Sequence, residues 1–248
     1  MPTIRPLIGG ALLCVAVGCT QTTTSSRTLP PDPPEIEDDA RARADFDQAV
    51  AAYQRARRSG GLDERECETV PEQFMEVGLE HASATEAAVF NAATVHEECG
   101  QHERAVEVYE QLLASRPRAA KAHNNLGVLL WTRGKRSVAL QHFKQAVDLD
   151  PLGPEPRNNL ATALRPRYVR TADDSTFVEA ESALQGALAL DSEDILAYEN
   201  LARLYYDRGR LRDPSYLMLA DLVITQGERV LDKTKGRSAE LLNLRGLL

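Results

Sequence analysis

The sequence predicts an all-α fold in which antiparallel helix pairs stack as a solenoid. Small and large apolar residues recur with a period of about 34 residues in the central part of the chain, a length typical of one helix pair with its turns. The repeated units end at a proline, which stops a helix. Of the 248 residues, 43% are hydrophobic, which suffices for a continuous core.

The charge of the chain argues against nucleic acid as a partner. The net charge is −8, and the sequence contains no basic tract. Phosphate binding needs clustered Lys and Arg side chains. The composition therefore favours a protein that binds other proteins.

Residues 1–18 are predicted to be a signal peptide. A positive charge precedes an apolar stretch at residues 7–17 that is too short to span a bilayer. The stretch ends in the sequence AVGC at residues 16–19, which resembles the lipobox of bacterial lipoproteins. This resemblance implies cleavage before Cys19 and acyl chains on its thiol, which together give stable anchoring. An ordinary secretory peptide or an uncleaved anchor is the alternative.

Residues 19–39 are predicted to form a disordered, proline-rich tether that begins at the lipidated Cys19. The segment has four prolines, an acidic end and no apolar periodicity, so it cannot bury enough surface to offset the entropy of ordering. Its reach is roughly 60 Å as polyproline and about 25 Å as a flexible coil. We expect it to hold the folded part away from the membrane.

A degenerate repeat or cap is predicted at residues 40–85. Helices are expected at residues 41–58 and 71–82, on either side of Gly60 and Gly61. The residue spacing of the first of these helices is typical of the second helix of a repeat. The tether lies where the first helix of that repeat would be.

Cys67 and Cys99 are the two cysteines that remain after processing of the leader and lipidation of Cys19. An even pair in an oxidising compartment favours a disulfide, which would contribute about 3 kcal/mol through loop closure. Free thiols are one alternative. The other is a metal site that adds His96 and His102, although this spacing is not a common zinc pattern.

Two regular repeats are predicted at residues 86–119 and 120–153. Numbered from its first residue, the second repeat has Leu126, Gly127, Leu130, Ala139, Phe143, Ala146 and Pro151 at positions 7, 8, 11, 20, 24, 27 and 32. This pattern resembles the tetratricopeptide repeat. Its small residues let two helices approach, and its large residues fill the space between them.

Two further repeats with insertions are predicted at residues 154–194 and 195–238. We expect the insertion in the former to lengthen the turn between its helices, and the insertion after Gly209 to delay the second helix of the latter. Residues 239–248 would begin a fifth repeat or form a capping helix. These residues would then present an apolar face without a covering helix, which favours a truncated chain. The face consists of Leu241, Leu244, Leu247 and Leu248.

The sequence offers no motif for catalysis. Phosphate-loop, serine-hydrolase and zinc-protease signatures are absent from it. The five histidines fall mostly at repeat positions that accept any medium-sized side chain. We therefore predict that the protein is not an enzyme and uses no cofactor or metal.

The first helices of the pairs are expected to line a concave groove that binds a partner. Asparagine occupies position 6 of all four repeats, and its carboxamide can bond to the backbone of an extended peptide. Aromatic and arginine side chains at position 12 are typical interface anchors. The predicted groove residues are Asn91, Asn124, Asn125, Trp131, Asn158, Asn159, Arg165, Asn200 and Tyr206. A purely structural role for the asparagines is the alternative.

Acidic residues on the same helices predict the charge of the partner. Glu97, Glu98 and Glu199 fall on this face, so a neutral or basic segment is expected to bind.

With its lipobox, the chain resembles a bacterial outer-membrane lipoprotein with tetratricopeptide repeats. The cysteine pair, the interrupted third repeat and the segment PSYLMLADLV at residues 214–223 are similar to lipoproteins of the myxobacterial gliding motility (Glt) machinery. This resemblance implies a periplasmic scaffold that assists assembly of an envelope or motility complex from periplasmic or outer-membrane proteins. The alternatives are a pilotin-like lipoprotein for secretin or type IV pilus assembly, and an adaptor for peptidoglycan enzymes.

Overall fold

The structure, a computed structural model, describes residues 35–234 and 236–248 and contains helices but no strand within them. Its helices are α1 Glu35–Arg58, α2 Glu66–Glu80, α3 Thr85–Glu98, α4 His102–Ser115, α5 Ala120–Thr132, α6 Arg136–Leu149, α7 Pro154–Thr171, α8 Asp174–Leu190, α9 Ile195–Leu211, α10 Ser215–Thr234 and α11 Ala239–Leu247. This architecture confirms the predicted all-α fold of helix pairs. The signal peptide, Cys19 and most of the predicted tether lie outside the described residues.

None of the helices in the described ranges combines the length and the apolarity that a bilayer-spanning helix needs. The chain divides into two compact units, and the division lies within α5, between Ala122 and His123. The N-terminal unit holds α1 to α4 and the start of α5. The C-terminal unit holds the remainder of α5 and α6 to α11.

The core of the N-terminal unit lies between α1, α2, α3 and α4. Tyr53, Phe74 and Tyr109 are at most 1% exposed there. Gly78 brings α2 close to α3, because a Cβ added to it would lie 2.9 Å from Cγ2 of Val89. Large side chains thus fill the core, and the glycine lets α2 and α3 approach closely.

Two predicted boundaries in this unit were wrong. α1 begins at Glu35, so the tether cannot extend to residue 39 as predicted. α2 begins at Glu66 and not at Pro71, because Asp63 and Glu66 exchange hydrogen bonds between their side chains and backbone N–H groups, at 3.0 and 2.7 Å. This reciprocal arrangement starts a helix upstream of the proline.

A disulfide joins Cys67 in α2 to Cys99 at the end of α3, with the two Cα atoms 5.8 Å apart. It confirms the predicted bridge. The free-thiol alternative and the metal alternative were wrong, because both sulfurs are bonded to each other and Nδ1 of His96 lies 2.6 Å from Oε1 of Gln101.

The C-terminal unit shows why the repeat needs its small residues. A Cβ added to Gly127 in α5 would lie 2.7 Å from Cε1 of Phe143 in α6. Further along the chain, α7 packs against α6, α8 and α9, and α9 packs against α10 and α11. Apolar side chains between these layers form a continuous core.

The insertion in the third repeat was predicted to lengthen the turn between the two helices. It extends the first of these helices instead. α7 continues through Pro166 to Thr171, and Asp173 already caps α8 by accepting a hydrogen bond from the backbone N–H of Thr176. A proline inside a helix costs about 3 kcal/mol. Burial of Tyr168, whose ring centroid lies 5.3 Å from that of Phe177, acts against this cost.

The last helix is only partly uncovered. α11 packs against α9 and α10, and this packing buries Leu241 and Leu244. Leu247 and Leu248 stay 53% and 43% exposed. The prediction that all four leucines would lack a cover was therefore wrong for two of them.

Candidate partner-binding face

The candidate site is the face formed by the first helices of the pairs in the C-terminal unit, α5, α7 and α9, which we call the A-helix face. α7 and α9 pack directly against each other. α7 also reaches α5, because Nδ2 of Asn159 donates a hydrogen bond of 2.9 Å to Oδ1 of Asn124. Residues at equal repeat positions therefore lie on neighbouring helices.

Four predicted groove asparagines on this face are buried. None of them is more than 2% exposed: Asn124, Asn125, Asn158 and Asn159. The amide group of Asn124 donates to Oδ1 of Asn125 at 3.3 Å while its own oxygen accepts from Asn159. These carboxamides connect helices to each other, which corrects the prediction of an open hydrogen-bonding ladder for a peptide. A side chain that neighbouring helices enclose cannot face solvent.

Asn158 fastens α7 to the beginning of α9. Its amide group donates to Oδ2 of Asp194, the N-cap residue of α9, whose Oδ1 accepts from the backbone N–H of Ala197. Asp194 thus satisfies both helices at once. The carboxamide oxygen of Asn158 is buried and has no hydrogen-bond partner among the described residues.

Asn200 and Asn91 each have a buried amide group without a hydrogen-bond partner among the described residues. Asn200 on α9 is half-buried, and its buried Nδ2 lacks a hydrogen-bond partner within the described part of the chain. In the N-terminal unit, Nδ2 of Asn91 on α3 is also buried and without a partner among these residues. A buried amide that no protein group satisfies costs about 1–3 kcal/mol.

The position-12 side chains of the C-terminal unit are half-buried. Arg165 was predicted as an interface anchor, but it is already engaged within the protein. Its Nε donates to Oδ2 of Asp207, and the two side chains are 24% and 14% exposed. Trp131 has the guanidinium of Arg136 5.4 Å from its ring centroid. Tyr206 has the guanidinium of Arg210 at 5.7 Å. Two aromatic rings with arginine neighbours therefore remain on this face.

Two connections on this face were not foreseen. Arg203 in α9 forms an ion pair with Glu240 in α11, and Glu199 accepts a hydrogen bond of 2.6 Å from the hydroxyl of Ser238. The repeat pattern does not mark either pair, because Arg203 and Glu240 occupy different repeat positions, as do Glu199 and Ser238. The Glu199 hydrogen bond connects α9 to Ser238, the N-cap residue of α11.

Glu97 occupies position 12 of the first repeat, in the N-terminal unit. It is 6% exposed and accepts a hydrogen bond of 2.7 Å from the hydroxyl of Tyr109. Burial raises its pKa to about 7, the Tyr109 hydrogen bond lowers the pKa by a smaller amount, and the neighbouring Glu98 raises it again. Glu98 itself lies 3.8 Å from the guanidinium of Arg57.

Comparison with known proteins identifies the repeat. Residues 90–154 match the tetratricopeptide repeat family model. Similar solved structures include a double mutant of MamA (RS-1), with a TM-score of 0.56 and 19% identity over 79% of this chain and 97% of that chain. A MamA fragment from Desulfovibrio magneticus RS-1 gives a TM-score of 0.52 and 20% identity over 78% of this chain and 95% of that chain.

YrrB, described as a tetratricopeptide repeat protein with an unusual peptide-binding site, has a TM-score of 0.54 and 16% identity over 84% of this chain and 97% of its own. No curated protein sequence matches the chain. At these identities the similarity is one of fold. It supports the tetratricopeptide-type repeat, a fold consistent with a protein-binding scaffold. The narrower resemblance to gliding-motility lipoproteins stays a prediction.

Proposed function

We propose that the protein is a non-enzymatic scaffold that holds an extended segment of a partner protein on its A-helix face. The observation that carries this proposal is the pair of half-buried rings, Trp131 and Tyr206, at the same position of two repeats. Aromatic side chains of this kind supply most of the binding energy of protein interfaces. The other polar groups of the face are largely engaged between helices, so the rings are its available anchors.

The spacing of the two rings sets the length of the segment. Packed helix axes lie about 8–10 Å apart, so the rings, two repeats apart, are separated by roughly 20 Å. An extended chain covers that distance in about six residues.

The charge beside the rings favours a different partner from the one that the sequence suggested. Arg136 and Arg210 are exposed next to the aromatic anchors, whereas Asp207 and Glu240 are paired with arginines. The partner segment is therefore expected to carry two apolar residues that contact the rings, with acidic residues close to each of them. This replaces the expected neutral or basic partner.

The same proposal places the scaffold at the outer membrane, facing the periplasm, through a lipidated Cys19. The AVGC motif at residues 16–19 and the following polar segment support the anchor. The Cys67–Cys99 bridge supports an oxidising compartment. Lipid confines the protein, which raises the local concentration of partners without tight intrinsic binding. Its role would be to assist assembly of a gliding motility or other envelope complex.

Purification of the tagged protein from its host in mild detergent tests this placement. Mass spectrometry should find an acylated N-terminal Cys19 and co-purified motility proteins of the periplasm or outer membrane. A secretin would move the role to pilus or secretion assembly, and peptidoglycan enzymes would make the protein a cell-wall adaptor. An unmodified N-terminus with no envelope partner would contradict the proposal.

A further inference from the structure

We propose a divalent metal site at Asp45, Glu80 and His81 in the N-terminal unit. One ligand atom of each side chain lies within 4.8 Å of the others. The site is independent of the A-helix face and of the proposed function. Sequence reasoning missed it because Asp45 is 36 residues from His81, and no short motif connects them.

Two helices bring the three side chains together. Asp45 lies on α1, Glu80 is the last residue of α2, and His81 follows as the C-cap residue with an extended backbone. His81 is only 3% exposed, and its Nε2 lies 2.9 Å from Oδ2 of Asp45. The same nitrogen is 4.0 Å from Oε2 of Glu80. The imidazole is therefore held by packing, with both carboxylates on the side of Nε2.

The chemistry of this set suits Zn²⁺. Imidazole nitrogen and carboxylate oxygen bind zinc at about 2.0–2.2 Å, so two ligand atoms of a tetrahedral ion lie about 3.4 Å apart. The distances from Nε2 of His81, 2.9 Å to Asp45 and 4.0 Å to Glu80, lie on either side of this value, so small rotations of the two carboxylates bring the set to it. Two carboxylates and a neutral imidazole also balance the charge of the ion.

The surroundings leave room for further ligands. A cavity of about 420 Å³ borders Asp45 and Glu80, and Gln48, Gln73 and Glu76 line part of it. Water in this space can complete the coordination that three protein ligands leave open. Arg41 competes with the ion, since its Nε lies 3.8 Å from Oδ2 of Asp45, but its side chain is 74% exposed and can turn into solvent.

A bound ion would fasten α1 to the end of α2. Because the ion binds the folded arrangement of two separate helices, its binding free energy adds to the stability of the N-terminal unit. The role we assign to it is structural, at the helix that directly follows the predicted tether.

Zinc binding to the metal-free full-length protein tests the site. Cys14 and Cys19 are replaced by serine in every sample so that their thiols do not bind the ion, and no reductant is added. We expect one Zn²⁺ per chain in competition with a chromophoric chelator, and a higher midpoint of thermal unfolding. Asp45→Asn, Glu80→Gln and His81→Ala should each weaken binding at least about tenfold.

His102→Ala is the matched control, because His102 is an exposed histidine of the same unit. It should bind zinc like the parent protein. Asp45→Asn and Glu80→Gln keep the shape of the side chain, so they decide the matter if His81→Ala fails to fold. Absence of zinc binding, or equal affinity of Asp45→Asn, Glu80→Gln and the control, would overturn the proposal.

Discussion

Asn159 donates a hydrogen bond from its carboxamide to Asn124, 35 residues earlier, at a distance of 2.9 Å. Both side chains are at most 1% exposed. A residue that recurs at the same place in successive repeats thus binds one repeat to the next. Its recurrence has a structural cause that does not require a partner.

Replacement of Asn159 by alanine should lower the free energy of unfolding by about 1–3 kcal/mol, because Oδ1 of Asn124 would stay buried and lose its donor. Chemical unfolding in urea measures the difference. Asn243→Ala is the control, since Asn243 is an exposed asparagine on α11. If both variants were equally stable and only Asn159→Ala lost partner binding, the open-ladder interpretation would be right after all.

The disulfide should stabilise the N-terminal unit. Cys67 and Cys99 are separated by 32 residues, and closing a loop of this length contributes about 3–4 kcal/mol in the chain-entropy model. The variant in which both cysteines are serine should therefore unfold at lower urea concentration than the oxidised parent. Treatment of the parent with reductant should have the same effect. A reductant-insensitive parent would mean that the bridge does not form.

Glu97 should make stability depend on pH. Its pKa in the folded state, about 7, lies above the ordinary value of 4.5, so folding favours the protonated form. The stabilisation is complete below pH 4.5 and is lost as the pH rises through 7, with a total of about 3 kcal/mol for this shift. Unfolding measured between pH 5 and pH 8 should show the decline.

Glu97→Gln removes the titrating group and should flatten this part of the pH profile. Glu72→Gln, at an exposed position of α2, is the control and should keep the parent profile. The role of Glu97 would be refuted if the free energy of unfolding of Glu97→Gln fell between pH 5 and pH 8 as steeply as that of Glu72→Gln.

Much of the fold could be predicted because the repeat pattern is local. Gly127 and Phe143 lie within one repeat, and their spacing alone predicts that two helices touch at that point. Cys67 and Cys99 paired as predicted because few alternatives existed for two cysteines. The course of α7 could not be predicted, since its continuation past Pro166 depends on the contact of Tyr168 with a ring of the following helix.

The candidate site was less predictable, because its state depends on side chains from distant parts of the chain. The partner of Arg165 is Asp207, 42 residues later, and its choice cannot be deduced from the repeat that contains the arginine. Burial of Asn124 likewise follows from how closely the next repeat approaches. Residue type and repeat position predicted which side chains lie on the face, but not which of them are already engaged.

The most direct test of the account compares the partners captured by two variants of the tagged protein. One carries Trp131→Ala with Tyr206→Ala, and the control carries Met218→Ala, which removes a side chain that is 78% exposed on α10. Quantitative mass spectrometry measures the envelope proteins that co-purify with each, and urea unfolding checks that both stay folded. The account predicts that the double variant loses at least about 90% of the captured partner, as expected for two anchors of about 2 kcal/mol each, while the control keeps it. Equal capture by both variants, or loss only with Met218→Ala, would contradict the claim that the A-helix face binds the partner.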